Sequence, residues 1–197
     1  GQRGQLKVLI GKGTPKEILE EAKIISVQYK QDIFGVNDPE LIRKFLIEHN
    51  LGIDCSGFIT NVLKAQFSAK GKNLTKQIFI TPKRNIFRWL ISRLRPVEQM
   101  NVKVFANDKN TKVISDLKET EAGDLVVMLS TGPNKNHDHI LLITETDGNI
   151  IHMSSNSNGG GWCLPPVVIE EGKLIANSWN NGWIKASLFN FLSGSKV

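Results

Sequence analysis

The sequence predicts an α+β fold in which N-terminal helices precede an antiparallel sheet and one helix, opening at Cys55, packs on that sheet. Three observations carry this expectation. Helix start signals follow one another between Thr14 and Cys55. The segments after Val113 are short and β-branched, as strands are. Asp147-Gly148 offers a tight turn joining two of them directly, which suits antiparallel neighbours.

In chain order, the first firm signal is Thr14-Pro15-Lys16-Glu17, a capping box with proline at the first helical position. Its helix is expected to bury Ile18, Ala22, Ile25 and Tyr29. Asn37-Asp38-Pro39-Glu40 opens a shorter helix through Leu41, Ile42, Phe45, Leu46 and His49, closing between Asn50 and Gly52. The third helix begins at Cys55 with Asp54 as its N-cap. From there Phe58, Ile59, Val62, Leu63 and Phe67 recur at the spacing of a buried helical face, with Gln66 breaking the pattern.

Residues 71–113 read as an insertion in what is otherwise a single domain over 1–197. Within it Gln77-Ile78-Phe79-Ile80 is strand-like, and Thr81-Pro82 announces a helix over 83–95. That helix places Lys83, Arg84, Arg88, Arg93 and Arg95 beside Ile86, Phe87, Trp89, Leu90, Ile91 and Leu94. A basic amphipathic helix of this kind lies on an anionic wall polymer or lipid surface, or else simply turns its apolar face to the core and its charges outward. Strands are expected at Asp124 to Leu129, His139 to Thr144, Asn149 to Met153 and Pro166 to Ile169. The polar, glycine-rich stretch from Ser154 to Gly161 suits a loop on the rim of a cleft, and Gly172 marks a turn before Leu174 to Trp179.

Composition narrows the function classes. The chain of 197 residues is long enough to bury a core without metal or disulfide support, and its net charge of +6 favours an anionic partner. No apolar run approaches the roughly 18 residues of a membrane span. The opening Gly1-Gln2-Arg3-Gly4 carries no visible signal peptide, so export is neither indicated nor excluded. Nucleic-acid binding draws on net charge and the 83–95 stretch alone, with no reading motif beside them.

Chemistry concentrates at Gly52-Ile53-Asp54-Cys55-Ser56-Gly57. A cysteine in the first turn of a helix sits at the positive end of the dipole, where its pKa falls and where backbone N–H groups can receive an oxyanion. The competing reading is a buried cysteine acting as a small hydrophobe, and a Cys55–Cys163 disulfide is the other alternative. A nucleophilic cysteine needs a histidine and a group that orients it. His139, which opens an apolar strand, is the expected base; His49 and His137 read as surface residues. Zinc held by His137, His139, His152 and Cys163 is the chemical rival, although no close-spaced ligand pair supports it.

Asp54-Cys55-Ser56-Gly57-Phe58, then Ala122-Gly123-Asp124-Leu125-Val126-Val127, then His139 before Ile140-Leu141-Leu142-Ile143, then Ile150-Ile151-His152, together resemble the NlpC-type cell-wall cysteine peptidases, in that family's order. The resemblance implies a papain-like α+β fold, a Cys55-His139-His152 triad, and hydrolysis of amide bonds in peptidoglycan stem peptides in the bacterial cell envelope or outside the cell. A cytoplasmic place stays open. By the same resemblance Asp54 and Ser56 hold substrate or fix the loop, and a monomer without cofactor or metal is expected. His152 follows His139 by thirteen positions. A two-residue Asp147-Gly148 turn pairs His152 with Ile143 and His139 with Asn156, whereas a longer turn brings the histidines opposite one another, so Asn156 is the alternative orienter. Related cysteine amidases and lipid acyltransferases share this chemistry, and a catalytically inactive wall-binding module is the alternative from another class of function. The chain departs from the family in that Tyr29, its one tyrosine, is separated from Cys55 by the intervening helix, and in the length of the 71–113 stretch.

Overall fold

A computed structural model describes residues 2–82, 85–114, 116–131, 137–147, 150–157, 160–163, 167–170, 173–175 and 187–191; beyond residue 154 the description is of the backbone. Helices come first and an antiparallel sheet follows, so the chain is α+β.

Helix α1 (Gln2–Leu9) has no start signal in the sequence, and it exists because Val8 is fully buried against the helices that follow. The expected capping box is present at α2 (Pro15–Tyr29), where Thr14 Oγ1 accepts from Glu17 N at 3.2 Å and Glu17 Oε2 accepts from Thr14 N at 2.9 Å. Lys7 Nζ reaches Glu17 Oε1 at 2.6 Å and Gln5 Nε2 reaches Glu21 Oε1 at 2.8 Å, which ties α1 to α2. Asp38 caps α3 (Pro39–Glu48), accepting from Glu40 and Leu41. Val8, Ala22, Ile33, Phe45 and Leu51 form the core of these three helices, with Ile18 and Ile25 packed at its edge. Tyr29 is exposed rather than buried, and its ring leans on His49 at the end of α3, 4.6 Å between centroids.

Helix α4 (Cys55–Ala69) carries the main core. Ile59, Leu63 and Phe67 pack against Leu125, Val127, Ile140 and Leu142 of the sheet, and each fully buried side chain contributes about 1.5–3 kcal/mol. Residues 71–113 are part of that core, since Leu74, Ile78, Met100, Val102 and Phe105 belong to it. They form α5 (Leu74–Gln77), α6 (Ile86–Leu94), α7 (Pro96–Gln99), α8 (Val102–Phe105) and β1 (Thr111–Val113). The strand expected at Gln77 to Ile80 is absent. Asn73 caps a short helix there instead, and the Asn110 amide stands in for a strand partner, accepting from Phe79 N at 2.6 Å and donating to Phe79 O at 2.8 Å. The next helix starts at Asn85, which accepts from Phe87 and Arg88, rather than at Pro82; Lys83 and Arg84 lie outside the described residues.

The sheet comprises β1, β2 (Leu125–Thr131), β3 (His137–Thr146), β4 (Ile150–Ser157), β5 (Gly160–Cys163), β6 (Val167–Glu170), β7 (Lys173–Ile175) and β8 (Ser187–Phe191). Its order is β1-β8-β2-β3-β4-β6-β7, with β5 paired to β4 and every pairing antiparallel. Ala122-Gly123-Asp124 is the entry to β2. Gly123 adopts φ of +100°, which a side chain would strain, and its N–H donates to Ile143 O at 2.8 Å. The buried Asp124 carboxylate accepts from Glu121 N at 2.8 Å, and burial pushes its pKa up.

Two expectations about the sheet are corrected. Asp147 and Ile150, not Thr146 and Asn149, close the β3–β4 hairpin: Asp147 N donates to Ile150 O at 3.2 Å, and Asp147 Oδ1 accepts from Ile150 N at 2.7 Å. The span from Ser154 to Gly161 is not a loop throughout, because β4 runs on to Ser157 and pairs with β5 from Ser157↔Gly160 to Ser154↔Cys163. Trp179 lies outside the described residues.

The start of α4 is fixed by an unusually close approach. Asp54 N donates to Gly11 O at 3.0 Å, and a Cβ on Gly57 would collide with that same carbonyl oxygen. Gly57→Ala is therefore expected to destabilise the fold by at least the ~1–3 kcal/mol of an overpacked core, read as a lower urea midpoint. An unchanged midpoint would mean that the Gly11 segment yields freely.

Candidate active site

Cys55 stands at the first turn of α4 and is a free thiol, so the alternative of a bridge to Cys163 does not hold. Asp54 is the N-cap, as expected, accepting from Gly57 N. What the sequence reading missed is Lys12. Its side chain is only 5% exposed, and its ammonium donates to Asp54 Oδ1 at 2.7 Å, to Asp54 Oδ2 at 2.8 Å and to Ser56 Oγ. Ser56 Oγ in turn donates to Asp54 Oδ1 at 3.2 Å. The isolated β-bridge between Lys12 and Ile53 holds the two segments together, and Asn61 Nδ2 donates to Gly13 O at 3.1 Å one turn further along α4. Gly11-Lys12-Gly13, a cation between two glycines in a loop, was the available signal.

This clamp sorts the two residues expected to hold substrate. Ser56 is buried and its hydroxyl is engaged by Lys12 and Asp54, which fixes the loop. The Asp54 side chain remains 46% exposed while its carboxylate is bound by Lys12.

The thiol lies against the head of β3. Backbone N–H groups of Ile140 and Ser56 donate to the Cys55 sulfur, and the Lys12 charge favours its ionised form; burial and the Asp54 carboxylate act the other way and prevail. The Cys55 pKa is therefore raised, which corrects the expectation of a thiolate made by the helix dipole. His139 is the residue before Ile140, half-buried, and burial holds its imidazole below the ordinary value. Both groups are thus favoured in their neutral forms.

Position and pairing explain how His139 is presented. Met128↔His139 is the last regular pair of β2 with β3 before a register shift, after which Thr131 meets His137. Ser130 adopts φ of +53° in that irregularity, and Asp138 Oδ1 accepts from Ser130 N at 2.9 Å. Lys103 Nζ stands 3.7 Å from Asp138 Oδ2, linking α8 to the same corner. Asp138 was not singled out in the sequence, although it separates two histidines there.

His152 stands apart from His139, farther along the β3–β4 hairpin. A bulge at Thr144 changes the β3–β4 register, so that Ile143 faces Met153 while His152 faces Glu145, at the exposed hairpin end. Thr144 Oγ1 donates to His152 O at 3.1 Å, which fixes the backbone there. The expected pairings of His152 with Ile143 and of Asn156 with His139 are both displaced. Pairing of β3 with β4 ends at Leu142↔Ser154, two residues before Asn156, on the side of the hairpin where His139 stands. Among the described residues no three ligand-type side chains gather, and the Cys163 side chain of the zinc alternative lies outside them.

Comparison with protein-family models, with curated proteins and with solved structures returns no match to this chain.

The raised thiol pKa has a measurable consequence. Alkylation of Cys55 by iodoacetamide should rise with an apparent pKa above the ~8.5 of an ordinary thiol. A reactive plateau extending into the acid range would instead reveal a thiolate–imidazolium pair. Lys12→Met removes a charge that favours the thiolate, so it should move the profile further alkaline, and the unpartnered Asp54 and Ser56 should lower stability by roughly 1–3 kcal/mol.

Proposed function

We propose that this chain is a papain-like cysteine hydrolase acting on amide bonds, with Cys55 as nucleophile and His139 as general base and acid. The observation that carries the proposal is the meeting of the α4 first turn with the head of β3, where the Cys55 sulfur receives the Ile140 N–H beside His139. Peptidoglycan stem peptides, cleaved in the cell envelope or outside the cell, are the substrate class favoured by the motif resemblance. Among the described residues no helix is long and apolar enough to cross a membrane.

The neutral resting pair dictates the order of proton transfers. As the Cys55 sulfur bonds to the carbonyl carbon, its proton passes to His139, which is a base because its low pKa keeps it unprotonated. The carbonyl oxygen becomes an oxyanion, which the Cys55 N–H in the first turn of α4 is placed to meet. Collapse breaks the C–N bond, and the amine leaves with the proton from His139. Water then attacks the thioester, giving a proton to His139; expulsion of Cys55, reprotonated by the same imidazole, releases the acid and restores the starting state.

Digestion of purified sacculi tests the reading by the mass of the products. Released muropeptides from the wild type, none from Cys55→Ala and a fall of roughly 10²–10⁴-fold for His139→Ala are expected. His152→Ala should stay close to wild type, whereas Asn156→Ala should lose most turnover if that residue orients His139; two tolerated changes would leave a Cys55–His139 dyad. Because the free-enzyme acid limb of kcat/KM reports the base, it should fall below the ~6.5 of an ordinary imidazole. Sacculi bound without cleavage would replace this reading by a binding module.

A further inference from the structure

The basic helix α6 does not turn its apolar face inward. Phe87 and Ile86 are 74% and 72% exposed, and Leu94, Leu90 and Ile91 are also exposed, whereas the buried position is Ser92, whose hydroxyl bonds back to Trp89 O at 2.7 Å. At 3.6 residues per turn the five apolar side chains occupy one arc of about 140°. Arg93 borders that arc on one side, and Arg88 and Arg95 border it on the other. Behind the helix a cavity of about 810 Å³ is lined by Lys7, Lys76, Arg93 and Arg95 together with Glu98, which stands 3.7 Å from Arg95. The cavity lining includes neither Cys55 nor His139.

We infer that α6 is the element by which this protein lies on an anionic lipid surface. A polysaccharide or polyphosphate chain would be met by charges and hydrogen-bond donors on the crest of a helix, whereas here the crest is aliphatic and aromatic. Seated at the boundary of headgroups and acyl chains, the arc of Ile86, Phe87, Leu90, Ile91 and Leu94 enters the apolar layer, and the bordering arginines reach lipid phosphates at the level where those phosphates lie. A second copy fits less well, since the same face against itself brings arginine borders together. The chemistry at Cys55 is separate from this surface, and the two readings stand or fall independently.

Flotation of the whole chain with vesicles tests the inference. The wild type should float with phosphatidylglycerol-containing vesicles and not with pure phosphatidylcholine, and the bound fraction should fall as salt rises past physiological strength, where the Debye length is about 8 Å. Each of Arg88→Gln and Arg93→Gln should weaken partition about five-fold. The Phe87→Glu/Ile91→Glu double variant should lose flotation while keeping its circular dichroism and its urea midpoint; should it fail to fold, Leu90→Gln makes the same test with a smaller loss. Cys55→Ala should float as the wild type does. No flotation, equal flotation with neutral vesicles, retention by wall polymer without vesicle binding, or a dimer that the double variant dissolves would each overturn the inference.

Discussion

The buried ammonium of Lys12 is the constraint from which the rest of the site follows. Asp54 caps α4, and Lys12 binds its carboxylate while also holding Ser56. The interaction is a network, because the same carboxylate serves Lys12, Ser56 and the Gly57 N–H at once. Its members come from a loop between the first two helices and from the start of the fourth, so the N-terminal helices are joined to the helix that carries the thiol. A loosely held N-cap would let the first turn fray, and with it the backbone donors around the sulfur.

Desolvation also sets the state of the groups beside that network. An ion pair between thiolate and imidazolium would have to be stabilised next to the partly buried Lys12–Asp54 pair, and desolvation opposes a second. Keeping the proton on sulfur avoids this, and a thiol is less nucleophilic than a thiolate. It also makes the sulfur a poor target for oxidants and stray electrophiles, which react with the thiolate.

Local chemistry made much of the fold legible. The Thr14 capping box, the Asp38 and Asp54 caps and the apolar face of α4 are short-range patterns, and each is present where the residues indicate. The β3 and β4 segments were legible for the same reason. What was hidden depends on partners distant in sequence. Nothing local to Gln77–Ile80 reveals that Asn110, more than thirty positions on, supplies the bonds a strand would have made. Hairpin register was beyond reach because the bulge at Thr144 is decided by the fit of whole strands, and a one-residue change moves a side chain to the other face. Lys12 escaped notice since its role exists only when Ile53 lies beside it. At Cys55 the helix-terminal position was read correctly, but the burial that overrides its effect on the thiol is a tertiary property.

The place of β8 carries a consequence for biogenesis. This strand, though last among those described, lies between β1 and β2 in the sheet, and β2 is the neighbour that holds β3 and its histidine. During synthesis the helical clamp and the β2–β3–β4 meander leave the ribosome before β8 does. Until β8 arrives, β2 presents an open edge that other chains can pair with, and β1 has no seat in the sheet. The nascent protein thus passes through a stage in which the start of α4 can form while the sheet beside it is unfinished and open to association.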